Sequence, residues 1–267
     1  MQLSALYRYP LKSARGEALE RSATGLLGLV GDRRWMLVDR DSGRFLTQRA
    51  FAQMSQLSAL YAPDGGLLLS AAGQAPLHVA VPEASEALRG VTIWRDTFRV
   101  PDAGDAAADW LSAFIGKPVR LVHVPQERTR FLPSGYGQID DRVAFADGFP
   151  LLLIGQGSLD DLVGRVGRPL AMERFRPNLV ITGSTAFAED GWKRIRIGTQ
   201  DFRVLKPCSR CILTTIDPQT GERSDDREPL TTLKTYREKE GDVMFGQNLV
   251  ADGEGVLEVG MDVVVLE

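Results

Sequence analysis

Short apolar, β-like runs separated by turn residues dominate the first third of the chain. Residues 35–38 and 44–47 form two such runs, and the turn residues Asp41, Ser42 and Gly43 lie between them, which predicts a hairpin. Further runs follow at short and fairly even spacing at residues 66–70, 77–81, 91–94 and 98–100. This spacing favours a small barrel or sandwich, so we expect an all-β N-terminal lobe.

A change to helical periodicity marks the predicted boundary between two lobes. Apolar side chains recur at helical spacing over residues 105–116, and Gly116 supplies a stop signal. Residues 119–124 then resume the pattern of a strand. We therefore divide the chain into a domain of residues 1–118 and a domain of residues 119–267.

The second lobe is predicted to be rich in strands, with a few helices. One helix is expected to have Ser158 as its N-cap and Asp160 and Asp161 in its first turn, and another to start at Pro229. The remaining apolar segments indicate strands at residues 179–182, 194–197, 202–205, 212–216, 255–258 and 263–266. The expected fold class is therefore mainly β with a few helices (α+β), with a β-barrel-like N-terminal lobe.

The composition is that of a soluble globular protein. Of the 267 residues, 43% are hydrophobic and 25% are charged, and the formal net charge of −3 gives no attraction to polyphosphate. Met1 leads directly into a strand-like run, and no apolar run reaches the ~18–20 residues that a bilayer crossing requires. We therefore expect a cytoplasmic enzyme with no nucleic-acid partner and no membrane partner.

The only two cysteines of the chain, Cys208 and Cys211, lie three positions apart. A structural zinc site or a cubane iron–sulfur cluster needs four ligands, and both histidines, His78 and His123, are remote in sequence. Zinc is therefore disfavoured, and no iron–sulfur cluster is expected in this chain. A dithiol redox pair normally opens a helix, whereas residues 212–216 are rich in β-branched side chains. The spacing alone favours two buried structural cysteines.

The neighbours of the cysteine pair change this interpretation. Lys206 and Arg210 would stabilise an anionic sulfur, and a thiolate is a soft ligand that suits a redox metal. Residues 206–221 resemble the hallmark of the molybdenum cofactor sulfurase C-terminal (MOSC) domain. More narrowly, the chain resembles the mitochondrial amidoxime-reducing component family and its bacterial relatives. The resemblance implies that Cys211 is the catalytic residue and the protein ligand of a pyranopterin molybdenum cofactor, and that Cys208 is not a ligand.

Three further segments match motifs of that family, in the family's order. They are Tyr9-Pro10-Leu11-Lys12-Ser13, Gly31-Asp32-Arg33-Arg34-Trp35 and Phe175-Arg176-Pro177-Asn178. Taken singly, their polar residues fit surface charges, salt bridges or turns. Together they offer the cations and neutral donors that a phosphate and a polar ring system need. The resemblance implies a cofactor-binding set of Lys12, Ser13, Arg33, Asp147, Arg176, Asn178, Ser209, Arg210 and Cys211.

The resemblance also implies a fold and an activity. The fold is a MOSC N-terminal β-barrel domain followed by a MOSC β-barrel, and the activity is reduction of N-hydroxylated small molecules, such as hydroxylamines and amidoximes, to amines or amidines. Because the chain has no cysteine set for a cluster, electrons would come from a separate donor protein of the flavin, iron–sulfur or haem type. A second hypothesis is a molybdenum cofactor or sulfur carrier with a persulfide on Cys211. The plainest alternative is a β-rich binding module without a redox role.

Overall fold

Strands are the main regular structure of the computed structural model, which describes residues 1–83 and 87–267. The strands of the first 118 residues are β1 (Gln2–Arg8), β2 (Glu17–Leu19), β3 (Arg21–Gly25), β4 (Gly28–Leu29), β5 (Trp35–Asp39), β6 (Ser58–Tyr61), β7 (Leu67–Ser70), β8 (Leu77–Val79), β9 (Leu88–Ile93) and β10 (Asp96–Pro101). Those that follow are β11 (Val119–His123), β12 (Arg130–Phe131), β13 (Arg142–Val143), β14 (Leu151–Gly155), β15 (Leu179–Thr182), β16 (Arg194–Ile197), β17 (Gln200–Arg210), β18 (Glu238–Lys239), β19 (Asp242–Asp252), β20 (Gly255–Glu258) and β21 (Val263–Val265).

Helices are few and short. The α-helices of the described residues are α1 (Asp105–Ile115), α2 (Gln156–Val166) and α3 (Leu230–Arg237). Short 3-10 helices cover Ala52–Gln56, Gln126–Arg128, Met172–Phe175, Ala188–Gly191 and Ile212–Thr215. Within residues 1–83 and 87–267, no helix has the length and apolar character needed to cross a membrane. The expected fold class, mainly β with a few helices, is confirmed.

The largest sheet curls into a barrel. Its strand order is β2-β1-β15-β14-β19-β17-β16-β21, in which β14 and β15 are parallel and the other neighbours are antiparallel. Backbone hydrogen bonds of 2.9 Å join its ends, from Leu3 N–H to Met261 O and from Val263 N–H to Met1 O. Burying an apolar side chain contributes roughly 1.5–3 kcal/mol. The buried interior includes Leu3, Leu6, Leu153, Leu179, Phe202 and Leu249.

A separate core lies in the N-terminal lobe. β5 pairs with β11, β6-β7-β8 form a three-stranded sheet, and β9 and β10 form a hairpin. Helix α1 buries Ala107, Leu111 and Ile115 against these strands, as its periodicity predicts. It ends at Gly116, whose φ of 81° is the left-handed conformation that glycine adopts at helix ends. The predicted helix over residues 105–116 is confirmed.

Most of the predicted strands of the N-terminal lobe are confirmed as well. β7 to β10 overlap the four runs expected after the first hairpin. The run at 44–47 is the exception, because it forms no regular strand. It contributes isolated bridges from Phe45 to Val38 and from Arg44 to Thr92, and a 2.8 Å hydrogen bond from Leu46 N–H to Leu37 O. The predicted hairpin therefore has one regular strand, β5, and one irregular arm.

The two lobes share strands across the division at residue 118. β11 follows the division in sequence, yet it pairs with β5 of the N-terminal lobe. β1 and β2 come from the start of the chain, yet they belong to the barrel, and β3 pairs with β20 near the end of the chain. The lobes are therefore interleaved rather than strung end to end.

The predicted start of the first helix of the second lobe is wrong. Helix α2 begins at Gln156, so Ser158 lies inside it rather than at its N-cap, and neither Asp160 nor Asp161 is in its first turn. The Ser158 hydroxyl instead donates to the buried carboxylate of Glu189 at 2.7 Å. Tertiary hydrogen bonding thus gives this serine a different role from the helix cap that its sequence position indicates.

The predicted strand at residues 212–216 is also wrong. The segment forms the 3-10 helix Ile212–Thr215 directly after β17. The hydroxyls of Thr214 and Thr215 each donate to the carbonyl three residues earlier, at 3.0 and 2.7 Å. These side-chain bonds stabilise a turn that the β-branched composition does not reveal.

Candidate functional site

One cleft between the two lobes contains every residue of the predicted cofactor-binding set. Its walls come from the segment after β1, the β4–β5 turn, the β13–β14 segment, the segment before β15 and the end of β17. The cleft encloses about 870 Å³, including solvent at its mouth. The predicted residues that line it are Lys12, Ser13, Arg33, Asp147, Arg176, Asn178, Ser209, Arg210 and Cys211. The whole set is brought together, and the cofactor-binding role of each residue stays a prediction.

Irregular strand pairing places both thiols in the cleft. β17 pairs with β19, but the register shifts twice between Val204 and Ser209. Bulges of this kind bend a strand and redirect its side chains, and they are frequent beside functional sites. Cys208 and Cys211 are both free and partly exposed, and both line the cleft. Burial raises the pKa of the Cys208 thiol. The assignment of Cys211 as the ligand stays a prediction because both sulfurs border the same space.

A lysine–aspartate pair lies in the same cleft. Lys12 is only 6% exposed, and its ammonium donates to Phe145 O at 2.8 Å and to the carboxylate of Asp147. Burial lowers the pKa of Lys12 to about 8. Burial acts to raise the pKa of Asp147, but the Lys12 ammonium outweighs it and lowers this pKa to about 2. At neutral pH the pair therefore carries both charges, and the ammonium holds a proton.

Three residues of the predicted set have a left-handed backbone, which is uncommon for residues other than glycine. Their φ angles are 65° at Ser13, 46° at Arg33 and 55° at Arg176. Each costs on the order of 1–3 kcal/mol, and such conformations cluster at ligand sites. The Arg33 guanidinium stabilises this arrangement by donating to Arg176 O at 3.1 Å. Both guanidinium groups also lie close to the Tyr9 ring, at 4.2 and 4.1 Å from its centroid.

Asn178 makes its hydrogen bonds to the protein itself. Its side-chain oxygen accepts from Arg33 Nη1 at 3.0 Å and from Leu152 N–H at 3.2 Å. Its amide nitrogen donates to Tyr7 O at 3.1 Å. The geometry therefore suits Asn178 to orienting Arg33 in addition to the cofactor contact that the sequence predicts.

Three arginines of the cleft have buried nitrogen atoms without a hydrogen-bond partner among the described residues. These atoms are Nη2 of Arg176, Nη2 of Arg210, and Nε and Nη1 of Arg174. Burial lowers the pKa of Arg176 to about 10, so this group is still protonated at neutral pH. Buried cationic donors are costly when unpaired, and an anionic phosphate would satisfy them. With the soft sulfur of Cys211, this donor set fits a phosphate-bearing cofactor that carries a thiolate-ligated metal.

Gly246 makes room for one of these arginines. Its φ is 78°, and a Cβ at this position would lie 2.7 Å from Leu153 O and 3.3 Å from Arg210 Nη2. The other nitrogens of Arg210 donate to Phe245 O at 2.7 Å and to Phe175 O at 2.9 Å. The glycine therefore lets the backbone approach closely while Arg210 keeps one nitrogen without a protein partner.

Sequence reasoning missed two arginines of the cleft, Arg49 and Arg174. Arg49 Nε donates to Cys211 Sγ at 3.2 Å, and Arg174 donates to Asp217 at 2.6 Å. Neither belongs to a matched motif. Arg174 could have been found because it lies two residues before Arg176, whereas Arg49 offers no local signal beyond its position after a predicted strand.

The histidines take no part in the cleft. His78 lies on β8 and contacts Asp64 at 3.0 Å, and His123 lies on β11 against the Trp35 ring. Their predicted placement on strands is confirmed. Among residues 1–83 and 87–267, no group of three or more His, Cys, Asp or Glu side chains is placed to hold a metal ion.

The fold and the cleft define a class of β-barrel protein with a thiol- and arginine-lined cleft suited to an anionic cofactor. Residues 1–118 match the model of the MOSC N-terminal beta barrel domain, and residues 140–264 match that of the MOSC domain. Relatives with more than 30% identity match nearly the whole chain. The chain therefore belongs to the MOSC domain family, close to the mitochondrial amidoxime-reducing components.

The relatives are of moderate identity. Mitochondrial amidoxime-reducing component 1 of Mus musculus is 33% identical over 281 residues, which cover 99% of this chain and 82% of that protein. Mitochondrial amidoxime reducing component 2 of Bos taurus is 34% identical, and the match covers 88% of this chain and 72% of that protein. Molybdenum cofactor sulfurase of Oryza sativa subsp. japonica is 29% identical, covering 97% of this chain and 33% of that protein. These names support a molybdenum-cofactor-associated, N-reductive function at the level of the family.

A solved structure, the YuaD protein of Bacillus subtilis, aligns with 98% of this chain and 93% of its own. Its identity is 9% and its TM-score is 0.46. That level of similarity does not bear on function.

Proposed function

We propose that this protein is a molybdenum-cofactor-dependent oxidoreductase that reduces N-hydroxylated small molecules, such as hydroxylamines and amidoximes, to amines or amidines. The observation that carries the proposal is the free thiol of Cys211 in a cleft whose arginines have unpaired buried donors. This combination suits a thiolate-bound redox metal and an anionic phosphate together. The names of the relatives supply the substrate class.

Some residues of the cleft would bind the cofactor, and one would supply a proton. Cys211 would ligate molybdenum, while Arg174, Arg176 and Arg210 would neutralise the cofactor's phosphate. The cofactor, when bound, supplies the redox metal for a two-electron reduction of the substrate N–O bond. That reduction also consumes two protons and releases water. Lys12 holds a proton at neutral pH because its pKa is about 8, so its ammonium is a proton source within the cleft.

The electrons would come from a separate donor protein of the flavin, iron–sulfur or haem type. Only two cysteines occur in the sequence, which is fewer than an iron–sulfur cluster requires. The cytoplasmic location expected from the sequence also stays a prediction.

The proposal is tested by replacing each thiol in turn, in protein made in a cofactor-competent host. Cys211→Ala is expected to lose bound molybdenum, because the metal loses its protein ligand. Its turnover of an amidoxime, with a chemically reduced viologen as donor, should fall by at least ~100-fold, beyond the 10–100-fold typical of losing an outer-shell partner. The control is Cys208→Ala, which removes the neighbouring thiol of the same cleft and should keep most of the metal and the activity.

Other results would change the assignment. Full metal and turnover in Cys211→Ala would refute the ligand role, and loss in Cys208→Ala alone would transfer that role to the other cysteine. Wild-type protein that binds neither molybdenum nor pterin would refute the proposed function.

A carrier function is the second candidate. Two free thiols border one cleft, and one relative is named molybdenum cofactor sulfurase. In this case Cys211 would carry a persulfide. Mass spectrometry and metal analysis separate the two functions. A gain of about 32 Da on metal-free protein that a thiol reductant removes supports the carrier, because a sulfinic acid of the same mass would persist, and stoichiometric molybdenum supports the enzyme.

A further inference from the structure

Arg49 connects the N-terminal lobe to the cysteine of the barrel. It lies just before the 3-10 helix Ala52–Gln56, and 162 positions separate it in sequence from Cys211. Its Nε nevertheless donates to Cys211 Sγ at 3.2 Å. A charged group that donates a hydrogen bond to a ligating sulfur orients that sulfur and affects how it binds the metal.

Contacts from three directions hold the Arg49 side chain and backbone. Nη2 lies 3.5 Å from Asp147 Oδ2, and the guanidinium carbon lies 4.8 Å from the centroid of the Trp94 ring. The backbone oxygen of Arg49 accepts from Arg223 Nη2 at 2.8 Å. Because both lobes contribute these contacts, the guanidinium has a defined position beside the sulfur.

Trp94 is itself held in an uncommon conformation. Its φ is 54°, in the turn between β9 and β10, and its indole N–H donates to Asp147 Oδ1 at 3.2 Å. A left-handed tryptophan persists only where its surroundings hold it in place. The ring is thereby kept over Arg49, while the carboxylate of Asp147 contacts both residues.

We infer that Arg49 is a positioning residue that fixes the Cys211 sulfur and raises the reduction potential of the metal bound to it. This inference rests on the proposed function. A charge-assisted hydrogen bond withdraws electron density from a thiolate, so the sulfur donates less to the metal and the reduced state becomes more stable. The N-terminal lobe thus acts on the metal through one guanidinium.

The test compares variants of molybdenum-loaded protein. Arg49→Met removes the charge and the donors, and Arg49→Lys keeps the charge without the planar fork that contacts sulfur and carboxylate together. Arg44→Met is the matched control, because Arg44 is an exposed arginine five residues earlier that does not line the cleft. The readouts are molybdenum content and the reduction potential of the metal in a mediated titration.

Arg49→Met is expected to lower the reduction potential. At the wild-type midpoint, the ratio of reduced to oxidised metal should fall about tenfold, equivalent to ~30 mV for a two-electron couple. The reduction potential of Arg49→Lys should lie between those of wild type and Arg49→Met, and that of Arg44→Met should equal the wild-type value. If Arg49→Met does not fold, Arg49→Gln carries the test, since it keeps a neutral donor and part of the stem.

The other possible results overturn either the role of Arg49 or the proposed function. Equal potentials in loaded Arg49→Met and Arg44→Met, with wild-type reductase activity intact, would refute the role of Arg49 and leave the proposed function standing. Loss of molybdenum from Arg49→Met and Arg49→Gln, with an unchanged potential in Arg49→Lys, would make Arg49 a cofactor-binding residue instead. Wild-type protein without molybdenum would overturn both proposals.

Discussion

His123 illustrates how burial alone changes the chemistry of one residue. Its ring packs on Trp35 with centroids 4.7 Å apart, and its Nδ1 has no hydrogen-bond partner among the described residues. Burial, assisted by the charge of Arg34, lowers the pKa of His123 to about 4. Between pH 4 and 6.5 the unfolded chain therefore binds a proton that the folded chain excludes. The free energy of unfolding should thus rise with pH across that window and fall as the solution is acidified.

Replacing His123 tests the effect of this pKa on stability. His123→Phe keeps an aromatic ring against Trp35 and removes the titration. Each pKa unit corresponds to about 1.4 kcal/mol, and partial exposure reduces the effect, so wild type should lose about 2 kcal/mol more than the variant between pH 7 and pH 4.5. Urea unfolding at both pH values measures this difference. Parallel losses in the two proteins would show that the histidine is protonated without cost in the folded state.

At the scale of residues, the sequence reveals short motifs, but it does not reveal which distant residues meet in space. Most of the cofactor-binding set could be predicted because its members, Asp147 apart, belong to short motifs, and all of them line one cleft. Arg49 could not be predicted, because its contact with Cys211 depends on how two lobes meet across 162 positions of sequence. The hydrogen bonds of Asn178 to the protein were equally invisible, since they depend on Arg33 and Leu152 being brought beside it.

At the scale of helices and strands, the predictions were correct where the spacing of apolar residues matches the buried face of the element. β15 and β16 cover the residues predicted for them, and α1 lies within one residue of its predicted end. The predictions failed where side-chain hydrogen bonds, rather than the spacing of apolar residues, determine the local structure. Thr214 and Thr215 bond back to earlier carbonyls and convert an apparent strand into a 3-10 helix.

The start of α2 leads to a prediction at this scale. The Ser158 hydroxyl donates to the Glu189 carboxylate and accepts from Phe187 N–H at 2.7 Å, and Glu189 also accepts from Gly155 N–H at 3.0 Å. Ser158→Ala would leave a buried carboxylate and a backbone N–H short of a partner. The variant should lose about 1–3 kcal/mol of unfolding free energy. Chemical denaturation measures it.

The matched control for that variant is an exposed serine. Ser134 is exposed to solvent, so Ser134→Ala should change the unfolding free energy by less than about 0.5 kcal/mol. A loss in Ser158→Ala no larger than in the control would mean that water replaces the hydroxyl at the start of α2.

At the scale of the whole molecule, the ends of the chain close the barrel. β1 pairs with β15, and β3 pairs with β20, so residues 119–267 alone lack strands that the barrel core requires. The fully buried Leu3 and Leu6 would also be missing from that core. Loss of two such side chains alone corresponds to several kcal/mol, which is comparable with the ~5–15 kcal/mol net stability of an ordinary domain.

The last prediction therefore concerns the division at residue 118. The piece 119–267 expressed alone should show poor amide dispersion by NMR and rapid proteolysis, because the free edge of β15 and the open core are exposed to solvent. Co-expression with the piece 1–118 should restore a protease-resistant complex, since β1 and β3 can then pair in place. A folded, cooperatively unfolding 119–267 would mean that the division separates independent domains and that the shared strands only join them. In that case Arg49 could be removed with its whole lobe, and the thiol of Cys211 could be studied without it.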